Sequence, residues 1–396
     1  MTAAPRYHPG LFESEIFWAE CYPALLEKGY QLRSRYRANW SRTWRWRFTF
    51  WPKSDEEEVF SVAHNTLDAV RLSDNKKIVL KRVASASPEI KIHEYLNSKT
   101  MHADPRNHTI DVLDVFSLPN TSWSFLVLPY AREFDYPPFH CRSEVVNALS
   151  QYLEGLQFMH EHNVVHMDIA PQNMLMDESA VVPNGSHFAL QRTHDGEMGL
   201  FTWNDRCTAS HLRYYYIDFG LSEYFPEGPE EALTTGMLRT FPEIPELSYD
   251  VPYNPFKVDI FQLGLVIRKL VQVGLKTRYK DDDPTAPQAY PDLEDFRPVS
   301  DAMTSKDPVA RPSAAQSLRH LQSIAATLSP EQLSEQIWDR AATEAHKQDR
   351  VKLGGYRFDY EHIRDRALYG RCALDVGRTD SEVQRLIVTQ AKSGTR

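Results

Sequence analysis

The spacing of hydrophobic residues changes along the chain. Between residues 56 and 130, short runs alternate or cluster as strands do, and one segment, PEIKIHEYLNS, has helical spacing with Pro88 in its first turn. The predicted strands are VFSVA, TLDAVRL, KKIVLKRV, DVLDVFSLP and SWSFLVLPY. From about residue 140 the spacing is helical, in SEVVNALSQYLEGLQFMHEH, VDIFQLGLVIRKLVQVG and RPSAAQSLRHLQSIAATL. Strands followed by helices favour two segregated lobes over one parallel sheet.

Three segments depart from this pattern. Residues 1–55 combine arginines with aromatic residues, and we expect the rings to pack onto the next domain while the arginines pair with acidic neighbours. Binding to phosphates or bases is the alternative for such a segment. Residues 177–212 are polar and rich in turn formers, which is typical of a functional or mobile insertion. Residues 331–396 are charged and weakly periodic until SEVQRLIVTQ, and we treat them as a tail.

Composition and charge narrow the classes of function. The chain of 396 residues is 42% hydrophobic and 25% charged, as in ordinary globular proteins. Its formal net charge of -9 argues against a general nucleic-acid binder. The four cysteines lie far apart without a CxxC pair, which argues against a zinc site or a disulfide framework and suits a reducing compartment.

Localisation follows from what the hydropathy pattern lacks. The first twenty residues have no long apolar core, so we expect no secretory signal. The most apolar stretch, residues 258–275, is interrupted by charged side chains, so we expect no membrane span. The sequence therefore predicts an intracellular protein, either cytoplasmic or nuclear.

Four motifs that carry chemistry occur in a fixed order. They are IVLKRV with Lys81, HMDIAPQN, the Asp-Phe-Gly of YYYIDFGLS, and PEL followed by VDIFQLG and DPVARPS. Together they resemble the eukaryotic protein kinase superfamily from about residue 56 to residue 330. The stretches around them, among them LRSRYRANW and DVPYNPFKVDIFQLG, resemble a family of fungal protein-kinase-like proteins.

The resemblance implies an α+β, protein-kinase-like bilobal fold. Residues 56–130 would form a small, mainly β N-lobe with one helix. Residues 131–330 would form a larger, mainly α C-lobe that contains the insertion 177–212. Residues 1–55 would then be an N-terminal extension packed on the kinase domain, and residues 331–396 the C-terminal tail.

The resemblance also implies ATP and Mg²⁺ as cofactors. Lys81 would hold the α- and β-phosphates as a point cation. A carboxylate of the following helix should orient Lys81, and the register of EIKIHEYL favours Glu89, with Glu94 as the alternative. LVLPYA would be the hinge between the lobes, with Leu128 at its gate and Pro129, Tyr130 and Ala131 facing adenine.

The remaining kinase roles also have candidates in this chain. Asp168 would accept or orient the proton of the substrate hydroxyl, and His166 would brace the loop. Asn173 and Asp218 would hold Mg²⁺ through oxygen ligands. Glu246 and Arg311 would form a buried ion pair that braces the C-lobe, and Asp259 would hold the catalytic-loop backbone.

Two substitutions distinguish this catalytic loop from the family pattern. Met167 stands where the family has an arginine that binds a phosphorylated activation loop, so we expect no activation through that contact, although Thr234, Thr235 and Thr240 are candidate phosphorylation sites. Ala170 replaces a lysine near the transferred phosphate, and Gln172 supplies no cation in its place.

A third departure lies upstream and leaves the function open. The segment VFSVAHNTLDAVR, at the position of the glycine-rich phosphate loop, contains no glycine. The leading interpretation is a protein kinase that phosphorylates Ser/Thr hydroxyls of a protein substrate. The first alternative is a pseudokinase that scaffolds partners through its N-terminal extension or C-terminal tail. The second is a small-molecule kinase, which PEL, DIFQLG and ARPS disfavour.

Overall fold

The structure, a computed structural model, describes residues 11–37, 40, 64–119, 121–196, 199–238, 240–241, 243–271, 290–340 and 342–358. The predicted strand VFSVA and the periodic tail segment SEVQRLIVTQ lie outside these ranges. The described chain has the α+β, bilobal architecture that the motifs imply, which confirms the predicted fold class.

The N-lobe is built on one antiparallel sheet of five strands in the order β1-β2-β3-β5-β4. Two helices, α2 and α3, lie between β3 and β4 in the chain. The bounds of these elements are β1 Tyr30–Gln31, β2 Thr66–Arg71, β3 Lys76–Ala84, α2 Pro88–Leu96, α3 Lys99–His102, β4 Asp114–Ser117 and β5 Trp123–Pro129. The sheet therefore starts at Tyr30, inside the segment that the sequence analysis treats as an extension.

Alternation along β3 gives the sheet two different faces. Ile78 and Leu80 are buried on one face, whereas Lys81 lies on the other, and its ammonium group reaches Asp218 of the second lobe. Helix α2 begins where Ser87 accepts a hydrogen bond from the backbone N–H of Glu89, with proline at the first helical position. The second face of β3 is thus the one that looks into the cleft between the lobes.

A helix that the pattern does not predict covers the outer face of this sheet. It is α1, Glu13–Glu27, and Pro23 inside it hides the helical signal because proline ordinarily interrupts helices. Trp18 and Leu25 of α1 are buried in the same apolar cluster as Leu80 and Phe125 of the sheet. Residues 11–37 are therefore part of the N-lobe core.

The arginines that follow α1 pair with carboxylates. Arg35 donates to Glu15 of α1 at 2.8 Å, and Arg33 lies 3.2 Å from Asp68 of β2. The side chains of the first pair are almost completely buried, and those of the second are about one-tenth exposed. Arg33 and Arg35 therefore pair with acidic neighbours, as expected for this segment. Residues 41–51 of the same arginine-rich segment lie outside the described residues.

The C-lobe is mainly helical and contains the largest apolar cluster of the described chain. Helices α4 and α5 carry much of this cluster, and α7 packs against α4. The helices are α4 Arg142–Glu161, α5 Pro255–Val271, α6 Arg297–Met303, α7 Ala314–Ala325, α8 Pro330–Ser334 and α9 Glu344–Leu353. The strands are β6 Arg132–Glu133, β7 Val164–Val165, β8 Met174–Met176, β9 Gly199–Thr202, β10 Tyr214–Tyr216, β11 Glu223–Tyr224, β12 Thr234–Gly236, β13 Ser248–Tyr253 and β14 Gly355–Phe358.

The insertion is more ordered than its polar sequence indicates. Strand β9 pairs antiparallel with β14 of the tail, so the two segments form one small sheet. Arg206, buried in the insertion, donates to the backbone carbonyls of Phe134, Pro137 and Pro138. These contacts fix both the insertion and the first part of the tail onto the C-lobe.

No helix in the described part of the chain is long and apolar enough to cross a membrane.

The predicted ion pair between Glu246 and Arg311 is present. Arg311 Nη2 lies 2.8 Å from Glu246 Oε2, and Nη1 also contacts this carboxylate. The same guanidinium donates to the carbonyls of Ser305 and Lys257, at 2.8 and 2.9 Å. With Arg311 only 2% exposed, these contacts replace the water that burial removes.

Removing this cation should destabilise the protein strongly. We expect Arg311→Met to lower the free energy of unfolding by about 3–5 kcal/mol, because Glu246 is left without its partner. The matched control is Arg297→Met, whose exposed pairs with Glu294 and Asp301 should contribute less than about 1 kcal/mol. Urea denaturation measures both, and equal effects of the two substitutions would contradict the bracing role.

Candidate active site

The catalytic loop joins β7 to β8, and polar side chains of α5 bind its backbone. The carboxylate of Asp259, which is fully buried, accepts the backbone N–H groups of His166 and Met167 at 2.8 and 2.7 Å. Gln262, one helical turn later, accepts the N–H of Ile169 and donates to the carbonyl of Met167. Asp259 therefore holds the catalytic-loop backbone, as the kinase resemblance implies.

Met167 takes over a structural role in place of the family's arginine. Its backbone adopts a left-handed conformation with φ 64°, which costs a non-glycine residue energy and is held here by Asp259 and Gln262. Its side chain is 7% exposed and belongs to an apolar cluster with Phe241 and Ile244. Apolar packing thus attaches the loop to the segment that precedes Glu246.

Asp168 is positioned by neutral donors. Asn173 Nδ2 donates to Asp168 Oδ2 at 2.9 Å and to its backbone carbonyl at 2.8 Å. Thr240 Oγ1 donates to Asp168 Oδ1 at 2.6 Å. Sequence reasoning treats Thr240 only as a phosphorylation candidate, and its position shortly before PEIPEL is the signal that could have placed it beside the loop.

Lys81 lies between two carboxylates. Its Nζ is 2.5 Å from Glu89 Oε1 and 2.8 Å from Asp218 Oδ1. Glu94, the alternative partner, is exposed on another side of α2. Helical spacing explains this choice, because Glu89 lies on the buried side of the helix together with Ile92.

The cation of Lys81 and its two carboxylate partners favour each other's ionised forms. Burial by itself would lower the pKa of Lys81, but Asp218 and Glu89 outweigh it and raise that pKa above its ordinary value. Burial would raise the pKa of Asp218, yet Lys81 holds it below the ordinary value. Burial and the charge of Asp218 would raise the pKa of Glu89, but the ring of His93 and the ammonium group of Lys81 outweigh them and lower it. All three groups are charged near neutral pH.

Asp218 and the next residues are fixed by local geometry and by ring contacts. Asp218 is left-handed, with φ 65°, and its Oδ1 accepts the N–H of Gly220. Phe219 is fully buried between two imidazoles, with ring centroids 4.9 Å from His93 and 5.0 Å from His166. The ring of His166 also contacts the carbonyl of Ile217 at 3.0 Å. His93, which the sequence pattern places in the helix without a role at the site, links α2 to the Asp-Phe-Gly motif.

The oxygen atoms around the loop fit a Mg²⁺ ion. In the described chain no group donates a hydrogen bond to Asp218 Oδ2, and the Asp218 side chain is 47% exposed. Asn173 uses its amide nitrogen toward Asp168, which leaves its Oδ1 without a donor among the described residues. A carboxylate oxygen and an amide oxygen are hard ligands of the kind that Mg²⁺ prefers.

A partly exposed apolar surface lies beside residues 126–131, the predicted hinge. Val79 of β3, Leu175 of β8 and Ile217 are half-buried and belong to one cluster with Leu128 and Ala131 of the hinge. Such a surface suits the flat apolar ring of a nucleotide base. The glycine-free segment predicted to cover the phosphates begins at residue 59, and its first part, residues 59–63, lies outside the described residues.

Two cysteines that are distant in sequence meet in the fold. Cys141 at the start of α4, Cys207 in the insertion and Glu144 place ligand atoms within 4.8 Å of one another. The wide spacing of the cysteines along the sequence therefore does not predict that Cys141 and Cys207 lie close together in the fold. The cysteines are free thiols, burial and Glu144 raise the pKa of Cys207 to about 12, and Glu144 already accepts two backbone N–H groups.

Comparison with known proteins agrees with this geometry. Among curated relatives, the probable casein kinase II subunit alpha homolog of Encephalitozoon cuniculi is 24% identical over 206 residues, which are 50% of this chain and 52% of that protein. A Wee1-like protein kinase of Oryza sativa subsp. japonica is 29% identical over 195 residues, 46% of this chain and 29% of that protein.

A more distant match is the eIF-2-alpha kinase GCN2 of Mus musculus, 25% identical over 193 residues, which cover 46% of this chain and 11% of that protein. The chain thus spans about half or less of the length of these relatives. The family model described as the protein kinase domain matches residues 59–322, from before β2 into α7. The chain belongs to the protein kinase family.

Proposed function

We propose that this chain is an active protein kinase that transfers the γ-phosphate of ATP to Ser/Thr hydroxyls of a protein substrate, with Mg²⁺. The observation that carries the proposal is the ion pair between Lys81 and Glu89, closed at 2.5 Å, with Asp218 as a second partner of Lys81. Phosphoryl transfer depends mainly on positioning and on charge neutralisation, and these residues supply both.

Each residue of the site has a defined role in this proposal. Bound Mg²⁺–ATP supplies the phosphoryl group that is transferred. Lys81 neutralises phosphate charge and is kept in place by Glu89, while Asn173 and Asp218 hold the metal. Asp168 orients the attacking hydroxyl and accepts its proton, in the position that Asn173 and Thr240 set. The hinge residues 128–131 face the base.

The same proposal accounts for Met167 and Ala170. Both side chains are buried in one apolar cluster with Phe241 and Ile244. This cluster holds the catalytic loop against the segment that precedes Glu246. An ordering that rests on apolar burial needs no phosphate on the activation segment. We therefore infer a kinase whose activity does not require phosphorylation of Thr234 or Thr235.

The second candidate is a pseudokinase scaffold. The observation in its favour is the segment VFSVAHNTLDAVR, residues 59–71, which has no glycine to bring backbone N–H groups close to phosphate oxygens. A scaffold of this kind would use the N-terminal segment or the tail for its partners. Nucleotide binding and turnover separate the two candidates.

Nucleotide binding is tested by thermal shift. We expect Mg²⁺–ATP to raise the melting temperature, because a ligand at about one hundred times its Kd stabilises the native state by about 2.7 kcal/mol. Asp218→Asn should abolish the Mg²⁺-dependent part of the shift. If Mg²⁺–ATP leaves the melting temperature of the wild-type chain unchanged, the ATP-dependent kinase is refuted and the scaffold is favoured.

Turnover is tested at Asp168. Asp168→Asn keeps the hydrogen bonds in outline but cannot accept the proton, so kcat for autophosphorylation or a generic protein substrate should fall about 10²–10⁴-fold. The Kd of Mg²⁺–ATP, measured by calorimetry, should stay near that of the wild type. Equal phosphotransfer by both proteins would contradict the proposed role, and a screen of sugars and amines addresses the small-molecule alternative.

Independence from phosphorylation is tested with matched threonines. The double variant Thr234→Ala/Thr235→Ala should keep a kcat close to that of the wild type, since neither hydroxyl holds the catalytic loop. Thr240→Val should lower kcat by about tenfold, because Asp168 loses a hydrogen bond that fixes its carboxylate. Loss of activity in the double variant, with normal folding by circular dichroism, would show that the segment does depend on phosphorylation.

A further inference from the structure

Two lysines of β3 reach the second lobe from the same face of the strand. Lys81 contacts Asp218, and Lys77 donates through Nζ to the backbone carbonyl of Ser186 in the insertion. They are four positions apart on an extended strand, which corresponds to roughly 13 Å at about 3.3 Å per residue. Val79, which faces the apolar surface beside the hinge, lies between them. The cleft-facing side of β3 is thus connected to the C-lobe at both ends.

Ser186 is the centre of the second connection. Its hydroxyl lies 2.8 Å from Tyr130 Oη and donates to Glu178 Oε2 at 2.5 Å, and its N–H donates to Glu178 Oε1 at 3.1 Å. The ammonium group of Lys77 also lies 4.1 Å from the centre of the Tyr130 ring. Ser186 is 1% exposed, whereas Lys77 and Tyr130 are half-buried, so its bonds to Glu178 are the best shielded from water.

The insertion is itself anchored to the C-lobe beneath this point. Arg132, which directly follows the hinge and is fully buried, lies 3.3 Å from Glu178 and donates to the carbonyl of Gln191 at 3.0 Å. Ser186 therefore lies on a segment that is tied to Arg132, directly after the hinge. A contact from Lys77 to this segment links β3 of the N-lobe to the insertion of the C-lobe beside the hinge.

We propose that Lys77 and Ser186 are specificity-determining positioning residues, which close the hinge end of the cleft and hold Tyr130 so that the site binds the nucleoside part of ATP. The inference rests on the proposed nucleotide site and adds the insertion to it. Lys81 attracts the phosphates at one end, whereas the Ser186 contacts order the backbone of the hinge at the other. Their loss should weaken recognition of the base and ribose and leave phosphate binding unchanged.

The test compares ATP with a ligand that has no nucleoside. Calorimetry with Mg²⁺–ATP and with Mg²⁺–tripolyphosphate is carried out on the full chain, its Lys77→Met and Ser186→Ala variants, and the control Lys76→Met, an exposed neighbour on β3. We expect each of the two variants to raise the Kd of ATP about tenfold, as for the loss of a buried hydrogen bond, with the Kd of tripolyphosphate unchanged. KM for ATP should rise more than kcat falls, and Lys77→Arg should restore part of the affinity.

Two outcomes would overturn the inference. One is a Kd of ATP that stays the same in Lys77→Met and Ser186→Ala as in the control Lys76→Met. The other is an equal loss for ATP and for tripolyphosphate, which would indicate a general change of the cleft.

A readout without nucleotide keeps the inference separate from the proposed function. Hydrogen exchange of the amides in residues 126–134 should be faster in Lys77→Met than in Lys76→Met, because the hinge loses its support. If the wild-type chain binds neither ligand, the proposed kinase activity fails, and the exchange rates still decide whether Lys77 and Ser186 position the hinge. Equal exchange rates in the two variants would refute that positioning.

Discussion

The buried carboxylate of Asp259 is the interaction on which the catalytic half of the molecule depends. A carboxylate without access to water must be surrounded by donors, or its desolvation would cost several kcal/mol. The backbone N–H groups of His166 and Met167 supply two of them, and the ring of His160 on α4 supplies a third contact at 3.0 Å. Asp259 of α5 can be buried only when the loop that carries Asp168 presents these N–H groups to it. The stability of the C-lobe and the geometry of the site therefore have a common origin.

From this fixed loop the site is assembled by contacts from three directions. Asn173 and Thr240 orient Asp168 from within the C-lobe, and Phe219 connects the loop to His93 of the N-lobe helix. Lys81 then brings a positive charge to Asp218 from the sheet. Since the contacts of Phe219 with His93 and of Lys81 with Asp218 both join the two lobes, the complete site exists only when both lobes are folded and docked.

Sequence reasoning predicts those parts of this arrangement that have a local signal. The register of α2 selects Glu89, alternation places Lys81 in a strand, and the motif order gives the bilobal fold. Ser186 has no periodic or motif signal, and the helical pattern that includes His93 does not predict its contact with Phe219, which appears only when the fold brings distant segments together. Helix α1 is missed for another reason, because tertiary packing of Trp18 outweighs the unfavourable Pro23.

The pairing of β9 with β14 has a consequence for where this kinase ends as a physical unit. The family match stops at residue 322, yet a strand from residues 355–358 completes the sheet of the insertion. At Gly355 the two strands are so close that any side chain would collide with the backbone of Phe201. Without this strand, the backbone groups of β9 that now pair with β14 would have lost these partners. The first part of the tail therefore belongs to the folded unit, which extends at least to Phe358.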